Sequence, residues 1–145
     1  MFLAGAEAVV AGLGDHRIAS AWEHPSVLEG QTVASLCGHL ARGAVWIVDE
    51  YLAADPSAGP ADFHSASEYF AVLLDALTDD DHRAIRDRGA TVADDGHAAL
   101  LAEVRRHLDE FAPRLRATSP DHLVTVAFGK VMRLGDYLLT RVVEQ

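Results

Sequence analysis

Apolar residues near the N-terminus recur at spacings of three and four, which is the pattern of an amphipathic helix. The set comprises Phe2, Leu3, Ala6, Val9, Val10 and Leu13. Gly12 and Gly14 lie at the end of this set, and glycine weakens or ends a helix. The pattern therefore predicts a first helix over about residues 2–13 with one face buried.

A longer apolar run follows. Before it, the stretch AWEHPSVLEGQ contains Pro25 and Gly30 and predicts an irregular connection. Thr32 suits a helix N-cap, and no proline interrupts the chain from there to about Ala54. The spacing predicts a second helix of about 23 residues, or about 34 Å, which is long enough to cross a small domain.

The middle of the chain predicts two further helices. The stretch AADPSAGPADFH, residues 53–64, separates elements because its prolines and glycine break helices. A third helix is predicted over about Phe63 to Leu77. Its predicted buried residues are Phe63, Phe70, Leu73, Leu74 and Leu77. The stretch TDDDHRAIRDRGA begins with a cap and an acidic first turn and predicts a short helix, which Gly89 and ADDGH interrupt.

The C-terminal third predicts a long helix from Ala98 to Leu115 and a final helix from about Val131 to the C-terminus. Between them, TSPDHLVTVAFG predicts a loop or a brief extended segment. No set of segments alternates between apolar and polar residues at period two. The predicted fold is therefore all-α: one domain, residues 1–145, forming an up-down bundle of four main helices with an additional short helix.

Composition narrows the functional classes. The 145 residues are 50% hydrophobic and carry a formal net charge of -10, so the overall field repels the phosphates of nucleic acids and of anionic membranes. The predicted partner is a small molecule or another protein. The single cysteine, Cys37, excludes an internal disulfide and fits a reducing compartment. The N-terminal stretch MFLAGAEAVVAGLG lacks a basic leader, so we predict a cytoplasmic protein; its arginine-rich, lysine-poor composition is typical of a GC-rich, actinobacterial genome.

His39 stands out among the apolar residues of the second helix. A histidine on the inner face of a bundle is either a hydrogen-bonded core residue or a functional one. Gly38 and Gly43 flank it, and their cost within a helix indicates that space is kept beside the imidazole. Cys37 lies about 200° around the helix from His39 and is predicted to be a small buried hydrophobe. Trp46, seven residues on, is predicted to wall a pocket beside His39 or to be core.

Two motifs carry a family resemblance. The first is W...PS.L.G.TVA.L..HLA, formed by Trp22, Pro25, Ser26, Leu28, Gly30, Thr32, Val33, Leu36, His39, Leu40 and Ala41. The second is the C-terminal stretch MRLGDYLLTRVVEQ, similar to a segment in which a DYL.TR..E helix continues into..VHG.DL. Together they resemble the mycothiol-dependent maleylpyruvate isomerase family of the DinB-like superfamily. Residues 55–120 match only in general helical character.

The resemblance implies a DinB-like four-helix bundle holding a divalent metal ion, typically zinc. The ligands would be a histidine of the second helix and a Glu-x-x-x-His pair of the last helix. These positions correspond to His39 and Glu144, and the second histidine would stand at position 148, beyond Gln145. Either another side chain such as His122 replaces it, or the sequence is shortened, or metal binding has been lost. Without a metal, Glu144 would be a solvated residue near a helix end.

The resemblance further implies a metal-dependent, mycothiol-using isomerase or thiol transferase that acts on a small electrophile. The substrate would lie between the second and last helices, with Arg141 meeting an anionic carboxylate and Trp46 walling the pocket. Such bundles commonly form homodimers. The alternative is a non-catalytic DinB-like bundle that has lost its metal and binds a small apolar ligand or a protein partner. The sequence leaves open whether the protein is an enzyme.

The other polar features predict ordinary structural roles. The remaining histidines form no metal-binding pair of known spacing and are predicted to be mostly exposed or capping residues: His16, His24, His64, His82, His97, His107 and His122. Arg133 and Asp136 are predicted to form a surface ion pair three residues apart. The acidic stretches TDDDH and ADDGH lack the spaced oxygen ligands of a calcium loop.

Overall fold

The computed structural model describes residues 1–54 and 59–145, and it confirms the all-α prediction. The first helix, α1, spans Phe2–Leu13, as its periodicity predicts. A short helix that the sequence analysis does not predict, α2, spans His16–Ser20. It forms because the side chain of Asp15 accepts a hydrogen bond from the backbone N–H of Arg17 and caps the turn.

The long second helix contains a local change of geometry. It begins as α3, Val33–Ala41, and the hydroxyl oxygen of Thr32 caps it by accepting from the N–H of Ser35 at 3.1 Å. A π-helical segment follows over Arg42–Trp46, and the helix then continues as α4, which spans Ile47–Ala53. The prediction that Thr32 is the N-cap of the long helix is therefore confirmed. The π-helical turn was not predicted, because a single wider turn changes apolar periodicity too little to be recognised.

The third predicted helix begins later than expected. The helix α5 spans Ala66–Ala76, and Ser65 caps it by accepting from the N–H of Glu68 at 3.2 Å. Phe63 is buried, but it lies before the helix, where it forms a bridge with Met132. The prediction that Leu74 belongs to the core is wrong, because 70% of it is exposed.

The fourth predicted helix is longer than expected. The helix α6 spans Asp79–Val92, and Thr78 forms a complete capping box with Asp81, as its acidic first turn predicts. Gly89 does not interrupt it. Instead Gly89 is buried where α6 crosses α3, and a Cβ atom built there would lie 2.6 Å from the carbonyl oxygen of Ser35. The glycine thus allows close helix packing, which a sequence alone cannot distinguish from a helix break.

The C-terminal third contains a small hairpin between two helices. The helix α7 spans His97–Ala117, and its buried face carries Leu100, Val104, Leu108, Phe111, Ala112 and Leu115. Strands β1, Leu123–Thr125, and β2, Val131–Arg133, pair antiparallel with Val124 opposite Met132. The brief extended segment is therefore confirmed. The final helix α8 spans Leu134–Glu144, three residues later than predicted, because Val131–Arg133 pairs as a strand.

Four elements form the core of the bundle: α1, the continuous helix from α3 to α4, α7 and α8. Two of the remaining helices add to it from outside, since α6 packs on α3 and α5 packs on α8. The largest fully buried side chains include Tyr137, Phe111 and Met132. None of the described helices combines the length and apolar character needed to cross a membrane.

Candidate functional site

A cavity of about 410 Å³ lies where the long helix meets α5, α6 and α8. Its apolar wall consists of Ile47, Leu73, Leu77, Ile85 and Phe128. Its polar lining includes His39, Arg42, Asp81, Arg88, Arg141 and Glu144, together with three tyrosines. Such a volume suits a small molecule, and a cavity that combines apolar walls with polar groups is typical of a ligand site.

The π-helical segment determines which residues of the long helix face this cavity. His39, Gly43, Ile47 and Tyr51 all line it, at intervals of four residues. In a regular α-helix each step of four residues drifts by about 40° around the axis. The wider π-helical turn offsets part of this drift, so the four residues stay on one face.

Trp46 lies outside the set of residues that line the cavity, and Ile47 stands in the place predicted for it. The prediction assumed regular helical spacing from His39, whereas the π-helical turn between them rotates the later residues. The Trp46 indole instead donates a hydrogen bond to Nδ1 of His107 on α7 at 2.9 Å. Its assignment to a cofactor stays a prediction that the geometry of this cavity does not support.

His39 is half-buried and lines the cavity, and its imidazole forms no hydrogen bond with another described residue. It is therefore not the hydrogen-bonded core histidine of the first interpretation. Burial lowers the pKa of its imidazole; the Glu144 carboxylate opposes this shift, and the guanidinium of Arg141 adds to it. The imidazole is thus neutral at neutral pH, with its ring nitrogens available to a ligand.

Arg141 and Glu144 form one paired unit at the cavity. Both guanidinium NH groups donate to the carboxylate, at 2.7 Å and 2.8 Å. Arg141 is only 7% exposed, and its guanidinium carbon lies 5.0 Å from the centre of the Tyr137 ring. Its Nε also donates to the hydroxyl of Thr140 at 3.0 Å. The structure therefore places Arg141 at the cavity with Glu144 beside it as an ion-pair partner, and the role of Arg141 in ligand binding stays a prediction.

Two further arginines, Arg42 and Arg88, also line the cavity, and the sequence analysis predicts neither of them. Arg42 donates to both carboxylate oxygens of Glu50, at 2.9 Å and 3.0 Å. Arg88 is exposed on α6 and makes no ion pair with any residue in 1–54 or 59–145. The signal that could have located Arg88 is its neighbour Gly89, because the close contact of this glycine with α3 brings α6 against the cavity.

The flanking glycines of His39 have different roles. A Cβ atom at Gly43 would meet only the carboxylate of Glu144, at 3.8 Å, so the space that this glycine leaves lies beside Glu144. Gly38 faces the backbone of Gly89 instead and allows α3 and α6 to approach. The interpretation of Gly38 as space for His39 is therefore wrong.

The donor set does not complete a three-ligand metal site. His39 and Glu144 both line the cavity, which brings the two predicted ligands together. No group of three or more histidines, cysteines, aspartates or glutamates within the described ranges is arranged to hold a metal ion. Both oxygens of Glu144 already accept from Arg141, and Asp81 accepts from the backbone and hydroxyl of Thr78. Catalytic zinc sites use three protein ligands, so these residues alone do not fit one.

A second cavity, of about 530 Å³, lies between α1, α3 and the Pro25 connection. Its lining is mostly apolar and includes Val9, Leu13, Val33, Leu36, Cys37 and Leu40. Cys37 is buried, and burial raises the pKa of its thiol to about 11, so the thiol stays protonated and unreactive. This confirms the prediction that Cys37 is a small buried hydrophobe, on a different face from His39.

The other polar residues considered in the sequence analysis lie outside the lining of the first cavity. His16, His24, His64 and His82 are exposed, as predicted. The Nε2–H group of His97 donates to the carbonyl oxygen of Leu13 at 2.6 Å, so His97 belongs to the packing of α7 on α1. The predicted surface ion pair between Arg133 and Asp136 is wrong. Arg133 is the last residue of β2 and the N-cap of α8, and its Nε lies 3.8 Å from the carboxylate of Asp121.

The fold and the first cavity together define a helical bundle with a cavity lined by both apolar and charged residues. The family model for the mycothiol maleylpyruvate isomerase N-terminal domain matches residues 2–145, and the chain belongs to this family. This confirms the resemblance carried by the two sequence motifs. Searches of curated proteins and of solved structures found no match.

Proposed function

We infer that the first cavity binds a small anionic electrophile, in a protein that performs mycothiol-dependent isomerisation or thiol transfer. The observation that carries this inference is the set of guanidinium groups at the cavity: Arg42 and Arg141 are each paired with a carboxylate, whereas Arg88 makes no ion pair with a described residue. The whole chain carries a net charge of -10, so the presence of three arginines at one cavity is a specific feature and not a property of the surface. Guanidinium groups bind carboxylates and phosphates through paired hydrogen bonds.

Arg88 is the cavity arginine best suited to bind a ligand anion. Arg42 and Arg141 are each held by a carboxylate, Glu50 and Glu144, so their positions are fixed. Arg88 has no such partner among the described residues. An anion in the cavity would supply one, and the apolar wall would hold the rest of the molecule.

The binding experiment is calorimetric titration of glutarate, a small dicarboxylate, into the protein at low ionic strength. We expect Arg88→Gln to weaken binding about tenfold, the size expected for the loss of one charge-assisted hydrogen bond. The matched control is Arg83→Gln, which removes an arginine from the same helix whose partner is Asp80 on the surface. Equal affinities for both variants and the original protein would contradict the anion site.

The proposal has two further parts, the thiol mycothiol and a metal ion, and each is tested separately. Family membership supports both. The side chains in the described residues do not complete a zinc site. Mycothiol is the thiol expected from the family. For the metal, plasma mass spectrometry of untagged protein is compared for the original chain, His39→Ala and His64→Ala. Near-stoichiometric zinc lost only in His39→Ala would show that His39 is a ligand and that the metal ion has at least one further ligand besides those assigned here.

Absence of bound metal in all three proteins after incubation with zinc would contradict the metal-dependent mechanism. The anion site would then stand or fall on the glutarate titration alone. Mycothiol is tested by the same calorimetry. A thiol that fails to bind with or without glutarate would contradict thiol transfer.

The second cavity supports a second candidate function, the binding of a small apolar ligand. Its lining residues are mostly apolar, and Val27 at its edge is 93% exposed. The neutral fluorescent probe N-phenyl-1-naphthylamine tests it, because its emission rises in an apolar site. Leu36→Trp fills the cavity and should abolish the rise, whereas Leu74→Trp changes an exposed residue of α5 and should not.

A further inference from the structure

His107 of α7 contacts the long helix at the point where its π-helical segment ends. The indole of Trp46, the last residue of that segment, donates a hydrogen bond to Nδ1 of His107 at 2.9 Å. On the other side of the same ring, Nε2 donates to the carboxylate of Asp49 in the first turn of α4, at 2.8 Å. These three side chains form the His107 clip. One imidazole thus joins the end of the π-helical segment to the start of α4, and both of them to α7.

The His107 clip is largely shielded from water. The side chains of His107 and Asp49 are 22% and 18% exposed. The rings of Trp46 and His107 meet edge to face, with their centres 5.9 Å apart. Asp49 is also paired with Arg114, which lies further along α7. Because charge-assisted bonds are strong and solvent screens this pair only partly, the clip should hold its part of the long helix firmly against α7.

The π-helical turn matters to the first cavity because it sets the rotation of α4 about the helix axis. His39 precedes the segment and lines the cavity, and Gly43 lines it from within the segment. Ile47 and Tyr51 follow the segment and line the same cavity. A regular α-helical turn over residues 42–46 would rotate α4 relative to α3 and turn these last two side chains away from the side of His39. A contact at the end of the segment can therefore decide which residues face the cavity.

We propose that His107 is a positioning residue for the first cavity. It holds the π-helical turn from the side of α7 and so keeps Ile47 and Tyr51 turned towards the cavity. His107 lies outside the set of described residues that line this cavity, so its effect passes through the long helix. The proposal goes beyond the anion site and does not depend on it, because it concerns the shape of the cavity in the protein without a ligand.

The test is fluorine NMR of protein in which 3-fluorotyrosine replaces tyrosine. All three tyrosines of the chain line the first cavity, and Tyr51→Phe, Tyr69→Phe and Tyr137→Phe assign their resonances. His107→Phe keeps an aromatic ring and removes both hydrogen bonds of the clip. We expect the Tyr51 resonance to shift by more than its linewidth or to split in two. The resonance of Tyr69, which lies on α5, should keep its position.

The matched control is His97→Phe in the same helix. His97 also meets a tryptophan edge to face, with its ring centre 5.4 Å from that of Trp22, and it donates to the carbonyl oxygen of Leu13 in α1. Its replacement should lower stability and leave the Tyr51 resonance in place. Trp46→Phe is the second variant, in case His107→Phe fails to fold. It removes one hydrogen bond of the clip and should shift the Tyr51 resonance in the same direction by a smaller amount.

Urea denaturation of each variant measures its stability separately from the NMR readout. An unshifted Tyr51 resonance in folded His107→Phe, or in folded Trp46→Phe, would overturn the proposal, because a merely structural histidine lowers stability without moving that resonance. An equal shift in His97→Phe would overturn it too, since any loss of packing by α7 would then have the same effect. Glutarate enters neither measurement, so failure of the anion site would leave this test unaffected.

Discussion

The indole of Trp46 donates a hydrogen bond to Nδ1 of His107, which fixes the protonation state of the histidine. An indole N–H can only donate, so Nδ1 must be unprotonated, and His107 is neutral with its proton on Nε2. That nitrogen donates to Asp49 at 2.8 Å, and Asp49 is also paired with Arg114. The chain of contacts joins the π-helical segment to α7.

Acid should break the contact between Trp46 and His107. Burial lowers the pKa of His107 from its ordinary value of 6.5, so the unfolded chain takes up the proton before the folded chain does. This group's contribution to stability is therefore complete above about pH 6.5 and is lost as the pH falls through the folded pKa. The charged groups around it are Asp49, Glu50, Glu103, Arg106, Glu110 and Arg114.

The measurement is the fluorescence of Trp46 in a Trp22→Phe background, titrated from pH 8 to pH 4. We expect a single step with a midpoint below 6.5, because a protonated imidazole quenches a neighbouring indole. His107→Gln should remove the step. A midpoint above 6.5 would contradict the neutral tautomer.

Close packing of α3 on α6 should make Gly89 intolerant of a side chain. A Cβ atom there would lie 2.6 Å from the carbonyl oxygen of Ser35 and 3.2 Å from the backbone nitrogen of His39, and backbone atoms move only if the helices separate. We expect Gly89→Ala to lower the free energy of unfolding by about 1–3 kcal/mol, as measured by urea denaturation.

The control for this prediction is Gly12→Ala in α1. Nothing lies within 4 Å of a Cβ atom at Gly12, so alanine there should raise stability by about 0.5–1 kcal/mol through helix propensity. Opposite signs for the two substitutions would separate packing from propensity. A stabilising Gly89→Ala would show that the two helices do not pack as described.

Removal of the capping box should weaken α6. The Thr78 hydroxyl caps the helix by accepting from the N–H of Asp81 at 3.2 Å. The Asp81 carboxylate in turn accepts from the N–H of Thr78 at 2.9 Å. We expect Thr78→Ala to cost about 1 kcal/mol in urea denaturation. Thr91→Ala in the same helix is the control and should change stability by only a few tenths of a kcal/mol. Similar costs for both would show that the cap contributes nothing specific.

The helix starts at Thr32 and Thr78 were predictable, because a capping side chain acts on backbone groups two or three residues away. The start of α5 was not predictable in this way, because Phe63 continues the apolar spacing of the helix although Ser65 provides the cap. Sequence periodicity shows which residues are apolar. It does not show whether an apolar residue belongs to a helix or to the segment before it.

The candidate site was predictable only in part. His39, Arg141 and Glu144 were found through the two motifs at the ends of the chain, and the structure brings all three to one cavity. Arg88 and the tyrosines come from other helices, and their convergence depends on tertiary packing that one sequence does not reveal. Trp46 was misplaced because one π-helical turn separates it from His39.

Neutralising Glu144 should strengthen anion binding, the opposite of Arg88→Gln. Glu144 occupies both NH groups of Arg141, whose guanidinium is 7% exposed and cannot be rehydrated freely. Glu144→Gln leaves this charge without its carboxylate, so a ligand carboxylate can replace it. We expect the affinity for glutarate to rise about threefold to tenfold in calorimetry, with a loss of stability because the buried charge is unpaired in the free protein.

The matched control is Glu110→Gln, which removes the partner of Arg106 on the exposed face of α7. It should leave glutarate binding unchanged, because exposed ion pairs away from the cavity are screened by solvent and salt. A weaker affinity in Glu144→Gln would mean that the carboxylate is needed to hold Arg141 in its binding position. In that case Glu144→Ala should weaken binding further, because glutamine can still accept one hydrogen bond from Arg141 and alanine cannot. If removal of the negative charge is what matters, both variants should bind glutarate more tightly.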